Sequence, residues 1–279
     1  MLQRRLLNEL IVSVLRKHPK LCYFQGYHDI AQVILLVLGP DLAHDALARL
    51  SLVRIRDFML PSLGPAIAQL NLLKPLLRRV DPKIYQRLKL IESHFALAAV
   101  LTLYSHDIDE YAAIVRLFDV FLAKEAVFPI YLFASIILGS RELILDLPED
   151  EPEMLHVTLS KLPKPTDLED TIRQACVLLQ SHPPQSLSTW RQISSYSTLR
   201  TCRLPLDWTL IRLQEAERLL ALQHEEFNRQ VRDQKLTRQL VQYRRLVIFA
   251  GLTVVIGLVA VWVGPEGLRT RMKALWVYF

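Results

Sequence analysis

Residues 246–264 form a run of nineteen positions without a charged side chain, and no other feature narrows the choice of fold so far. A helix of about 20 apolar residues crosses the roughly 30 Å hydrocarbon core of a bilayer. A buried helix in a water-soluble domain usually keeps a polar face, and Thr253 alone does not provide one. The run is therefore expected to be one C-terminal transmembrane helix, with the lipid bilayer as a partner. Arg244 and Arg245 precede it, while Arg269, Arg271 and Lys273 follow Pro265, so the local charge gives only a modest orientation signal. Trp262 and Trp276 suit the membrane interface. Gly251 and Gly257 are out of Gly-x-x-x-Gly register, which leaves a helix-pairing motif unsupported. No signal peptide is read at the start, and the run lies close to the C-terminal end. The expected arrangement is a tail anchor with the bulk of the chain cytosolic.

The rest of the chain also reads as helix. Leu6, Leu7, Leu10, Ile11, Val14 and Leu15 recur at helical spacing and predict a helix over residues 2–17, and residues 30–38 are almost wholly apolar. Only eight glycines occur, among abundant Leu and Ala, which argues against sheet-based folds; the expected fold class is all-α. No Gly-x-x-x-x-Gly-Lys-Ser/Thr run is present, so the chain is not expected to be a GTPase itself. Cys22, Cys176 and Cys202 form no Cys-x-x-Cys unit and are expected to stay reduced. His28-Asp29 and His106-Asp107 lack the spacing of a ligand set, and no metal or other cofactor is expected. His106-Asp107-Ile108-Asp109-Glu110 reads instead as a polar turn whose carboxylates suit the positive N-terminus of the next helix. No Gly-x-Ser-x-Gly elbow offers a serine nucleophile. The net charge of +6 fits membrane proximity, but no basic patch interleaves with aromatics, so no nucleic-acid partner is expected.

Composition divides the chain as follows. Residues 1–180 read as a helical domain, and residues 181–206, rich in Ser, Pro and Thr, as a linker. Over residues 207–245, charges of both signs alternate with Leu210, Leu213, Leu219, Leu220, Leu222, Phe227, Val231 and Leu236, the pattern of a juxtamembrane helix. It is solvated, self-paired or laid on lipid, and Lys235, Arg238, Arg244 and Arg245 suit anionic headgroups. The membrane helix then occupies 246–264, and a short tail 265–279.

Within the helical domain, Tyr23-Phe24-Gln25-Gly26-Tyr27-His28-Asp29 interrupts two strongly helical segments, and His18-Pro19 and Gly26 punctuate the join. A Gln amide donates and accepts hydrogen bonds without carrying charge. It can therefore hold an attacking water in line with a phosphoryl group without neutralising that group. The alternative is that Gln25 caps a backbone group of the turn. Tyr23 and Gly26 are expected to shape the loop, Gly because it permits φ above zero or close backbone approach. Asp29 is expected to hydrogen-bond the loop or to cap a helix beginning near Ile30.

The string Tyr-x-Gln-Gly-x-x-Asp resembles the glutamine-finger motif of TBC-domain GTPase-activating proteins, which act on Rab GTPases. Residues 111–122, Tyr-Ala-Ala-Ile-Val-Arg-Leu-Phe-Asp-Val-Phe-Leu, resemble the Arg-Leu-Trp-Asp segment of the same domain, with Phe118 in place of Trp. Residues 52–59 and 95–104 sit where such a domain carries its middle helices, so the resemblance covers roughly residues 1–180. It implies a TBC-type helical domain, Gln25 as the catalytic residue, and a GTP-bound Rab as partner. Tyr23, Gly26 and Asp29 then face the Rab. Arg116 and Asp119, three apart on one helix face, are implied to be architectural and able to pair.

With the C-terminal apolar run added, the chain resembles an endoplasmic-reticulum-anchored branch of that family, which implies an early-secretory membrane and Rab. In these domains an Ile-x-x-Asp-x-x-Arg motif with the arginine finger lies some tens of residues before the glutamine motif, and this chain starts too late to contain it. Arg4 and Arg5 are poor substitutes, because a helix rising about 1.5 Å per residue puts them roughly 20 Å from its C-terminal end. Since an arginine finger is worth about 10³ to 10⁵ in hydrolysis rate, a non-catalytic, membrane-tethered Rab-binding form stands as the alternative expectation.

Overall fold

Prolines and glycines cut the apolar periodicity into helices joined by short turns, and the computed structural model describes residues 2–161, 167–202 and 207–263. Among these, all regular elements are α-helices or 3-10 helices, as the composition predicts. The first helix, Leu2–Lys17, buries Leu10 and Val14 against the long Tyr27–Val53 helix. Arg16 and Lys17 lie in its last turn, where the helix dipole favours positive charge.

By length and composition the Tyr27–Val53 helix could cross a membrane. It is nevertheless a core element, with Tyr27, Ile30, Ala31, Leu47 and Val53 buried. Its axis breaks at Gly39, where φ is 74°, directly before Pro40. Proline lacks the N–H that would continue the ladder and disfavours the α conformation in the residue before it, and glycine tolerates the positive φ that results. Farther on, Phe128–Gly139 is buried along nearly its whole length and packs against Leu168–Ser181.

Between these helices a short 3-10 turn, Arg56–Phe58, carries charge into the interior. The Asp57 carboxylate, almost fully buried, accepts from Gln69 Nε2, from Ser197 Oγ, from both the amide and hydroxyl of Thr198, and from Gln223 Nε2 at 2.6 Å. Arg56 beside it donates to Gln223 Oε1 at 2.9 Å, to the Leu52 and Tyr196 carbonyls and to the Thr201 hydroxyl. Burial pulls the Arg56 guanidinium below its usual range, and the Asp57 carboxylate opposes that shift. Arg54 donates to the carbonyls of Phe121 and Lys124, closing the C-terminal end of the Tyr111–Ala123 helix.

This hub changes the reading of the segment expected to be a linker. Within residues 184–202, Leu187, Trp190, Ile193 and Leu199 are buried. Of the Ser and Thr residues that suggested a linker, Ser197 and Thr198 are donors to a buried carboxylate. Likewise the segment expected to be juxtamembrane begins inside the domain, with Ala216, Leu220 and Gln223 buried at the start of the Leu213–Val263 helix. The chain divides into two units after His224 rather than near residue 180.

In the second unit the Leu213–Val263 helix continues, and Ile248, Leu252, Val254, Val255, Ile256, Leu258 and Val259 are all exposed. Within this helix Ala250–Val259 is an apolar stretch among the described residues. Gly264, the expected tail 265–279 and the end of the expected linker, 203–206, lie outside the described residues.

Candidate functional site

The site is built on the strap from His18 to Gly26 that joins the first two helices. Leu21 and Phe24 point inward, and Phe24 meets Tyr27 and Phe58 at ring-centroid distances of 5.7 and 6.2 Å. The Cys22 amide donates to the Met59 carbonyl at 2.8 Å, which ties the strap to the turn holding Asp57. Gln25 is exposed, and among the described residues no hydrogen bond holds its amide. The alternative that Gln25 caps a turn therefore has no contact behind it.

The backbone under Gln25 is constrained by Gly26. Its φ is 105°, and a Cβ there would come within 2.6 Å of Thr102 Cγ2. Both the left-handed conformation and the close approach exclude a side chain. Tyr27 follows, fully buried. The Ser51 hydroxyl already donates to the Leu47 carbonyl at 2.7 Å, so the Tyr27 hydroxyl donates to Ser51 Oγ, also at 2.7 Å. Burial pushes the Tyr27 phenol up to about 12, the Ser51 contact opposing, so it keeps its proton at any working pH.

The outer side of the loop is polar. The Tyr23 hydroxyl and His28 Nδ1 lie 3.0 Å apart, and burial, with the Asp29 charge adding to it, pushes the Tyr23 phenol up. Asp29 does not cap a helix near Ile30. The helix begins at Tyr27 with Gly26 as its N-cap, and Asp29 falls in the first turn, where negative charge suits the helix dipole. Its carboxylate faces two imidazoles, His28 Nε2 and His106 Nδ1, each at 3.4 Å.

Behind His106, Asp107 is half-buried. Burial pushes its carboxyl above the usual range, with Asp29 adding to the shift and His106 opposing it. A carboxyl raised in the folded state stabilises the fold below its unfolded pKa, and that contribution is lost as pH rises through the folded value. We therefore expect Asp107→Asn to melt higher than the parent at neutral pH. In thermal melts the difference should shrink towards zero below about pH 4, where the unfolded carboxyl is protonated too. A difference independent of pH would show that charge is not its cause.

Tyr23, Gln25 and Gly26 thus lie on one short loop with Asp29 in the helical turn that follows it, whereas Arg116 and Asp119 stand elsewhere. Arg116 does not brace the glutamine loop and its ion pair is not with Asp119. It donates from Nε and Nη2 to the Glu169 carboxylate at 2.6 and 2.9 Å, with the side chain 46% exposed. Solvent screens an exposed pair of this kind, so it adds little to stability. Among the described residues the buried arginines are Arg54 and Arg56, signalled in the sequence only as charges inside the apolar stretch 52–59. Thr102, Ser51 and Met59, which fix the loop, carry no sequence signal, because each acts through a contact made by the fold.

The Rab-GTPase-TBC domain model matches residues 2–145, half of the chain and all of the loop just described. The chain belongs to the Rab-GTPase-TBC domain family. GTPase-activating protein gyp10 from Schizosaccharomyces pombe is 35% identical over 226 residues, covering 77% of this chain and 61% of that protein. Human TBC1 domain family member 20 is 30% identical over 272 residues, 95% of this chain and 67% of that protein. The bovine protein of the same name is 35% identical over 182 residues, 64% and 45% of the two chains. This TBC-domain chain spans between about half and two thirds of the length of these relatives. The glutamine loop lies within the matched residues, while the donors to Asp57 from residues 197–223 lie beyond them.

Proposed function

We propose that this chain stimulates GTP hydrolysis by a Rab GTPase, with the Gln25 amide orienting the attacking water, while its C-terminal helix holds it at a membrane of the early secretory pathway. The observation that carries the reading is the contrast at the loop tip: an exposed amide without an intramolecular hydrogen bond sits on a backbone that Gly26, Thr102, Tyr27 and Ser51 fix. A group that must act on a partner has to be free at its end and rigid at its base. Tyr23, Gly26 and Asp29 then form the Rab-facing rim, and no cofactor is required of this chain. The relatives named GTPase-activating proteins support the reaction class. The membrane component is supported by the exposed apolar surface over residues 250–259, which water penalises at about 25 cal/mol per Å² and a bilayer does not. The early-secretory address rests on the resemblance to the endoplasmic-reticulum-anchored branch.

A second reading, a membrane-tethered Rab-binding scaffold, is favoured by one observation. Arg54 and Arg56, on and beside the turn tied to the glutamine strap, are buried and hydrogen-bonded within the domain, so neither is free to reach a nucleotide.

The test is single-turnover GTP hydrolysis by a panel of Rabs with the full chain in lipid vesicles. Acceleration is expected, falling by at least about tenfold in Gln25→Ala, a loss of roughly 1.4 kcal/mol of transition-state stabilisation, with Rab binding retained. Binding without acceleration, rescued by an upstream arginine-finger segment, selects the scaffold. Neither binding nor acceleration by any Rab removes both readings.

A further inference from the structure

The side chain that reaches a nucleotide in this arrangement is long and untethered, so its accuracy has to come from the backbone beneath it. That backbone is held from behind by the start of the Leu213–Val263 helix at successive points. His18, 4% exposed at its side chain, places Nδ1 2.8 Å from Glu217 Oε1. His224 Nε2 donates to the Lys20 carbonyl at 2.7 Å. Gln223 bridges Arg56 and Asp57, the turn whose Met59 carbonyl takes the Cys22 amide. Residues 216, 220 and 223 are buried, so 217 and 224 flank one helix face that is laid on the domain. The strap is thus fixed at 18, 20 and 22, and Gln25 follows three residues on.

We propose that Glu217 and His224 are positioning residues for Gln25, holding the His18–Cys22 strap so that the loop presents its amide in one place. Neither touches the partner or the nucleotide. The proposal deepens the reading above, since it assumes that Gln25 acts on a GTPase. A displacement near 1 Å at a reacting group costs on the order of 10²-fold in rate, so a modest loosening of the strap is readable in turnover. The loss appears in the maximal rate at saturating chain, because the Rab-facing rim is left in place and affinity is not what these contacts set. A role confined to general stability predicts the opposite pattern: uniform loosening, and rates that recover once the folded fraction is accounted for.

The experiment compares the full chain in vesicles with Glu217→Ala, Glu217→Gln and His224→Ala, and with Arg218→Ala as the exposed control on the same helix. Amide hydrogen exchange is read on the chain alone, so it needs no GTPase, and single-turnover hydrolysis is read in parallel. We expect exchange over residues 18–26 to rise about fivefold in Glu217→Ala and His224→Ala, the loss of one hydrogen bond. The rest of the domain and Arg218→Ala should be unchanged, and Glu217→Gln, which still accepts from His18, should be restored. The maximal hydrolysis rate should follow the same order with the Rab affinity constant. Unchanged exchange at 18–26, or a rise spread evenly over residues 2–224, overturns the proposal. A local rise with a parent chain that accelerates no Rab supports the brace and overturns the role of Gln25. A local rise with an undiminished rate in an active parent overturns the positioning role itself.

Discussion

Replacing Asp57 with alanine is expected to lower the unfolding free energy by about 3–5 kcal/mol, the largest loss at any single position described here. The carboxylate is 1% exposed and collects donors from Gln69, Ser197, Thr198 and Gln223. Alanine strands all of them away from water and removes the negative charge that opposes the shift at buried Arg56. Asp57→Asn tests which part matters. It keeps the volume but turns an acceptor oxygen into an NH₂ group facing donors, so most of the loss should persist. Urea unfolding followed by circular dichroism reads both. An asparagine variant as stable as the parent would show that the site tolerates a donor, and the hub would then be less constrained than its geometry implies.

The second large effect is expected at Gly26. Alanine there pays for a left-handed backbone, about 1–2 kcal/mol, and for a Cβ 2.6 Å from Thr102 Cγ2, a contact that overpacks by about 1–3 kcal/mol. Together these predict a loss of roughly 2–5 kcal/mol, or a loop that moves to avoid it and takes Gln25 along. Thr102→Ser separates the two causes, because it removes the methyl group and keeps the hydroxyl that donates to the Ala98 carbonyl at 2.9 Å. In a double-mutant cycle, serine should recover the steric part of the loss and leave the conformational part. No recovery would place the whole cost in φ.

The legible parts of this protein are the local ones. The 3.6-residue spacing of Leu6, Leu10 and Val14 sets the first helix, which forms over Leu2–Lys17 as its spacing predicts. Gly26 stands out because a glycine between helical segments announces a turn, and the turn has the positive φ that only glycine adopts cheaply. The apolar run from 30 to 38 is helical, but its ending at a Gly-Pro break, with the helix resuming to Val53, combines a local signal with a tertiary outcome. What stayed hidden is long-range. Ser197 and Thr198 have the composition of a tether, and only Asp57, 140 positions earlier, gives them a reason to be buried. Arg116 and Asp119 share a helix face, yet the partner that wins is Glu169 on another helix. Leu103 and Tyr104 take positive φ at 50° and 66° without any residue type that favours it. Thr102, just before them, becomes the wall against Gly26. Pattern reading sees neighbours along the chain, and these contacts are neighbours only in space.

The hub around Asp57 separates two notions of a domain that are usually treated as one. The match to the family's domain model ends at residue 145, but the last described donor to the interior carboxylate is supplied at residue 223. A transcript or proteolytic fragment that stops between residues 145 and 197 keeps the matched domain, including the glutamine loop, while leaving a buried charge without most of its partners. Such a product is a substrate for quality control rather than a smaller version of the protein, so inheritance of the motif and inheritance of a viable fold are not the same event.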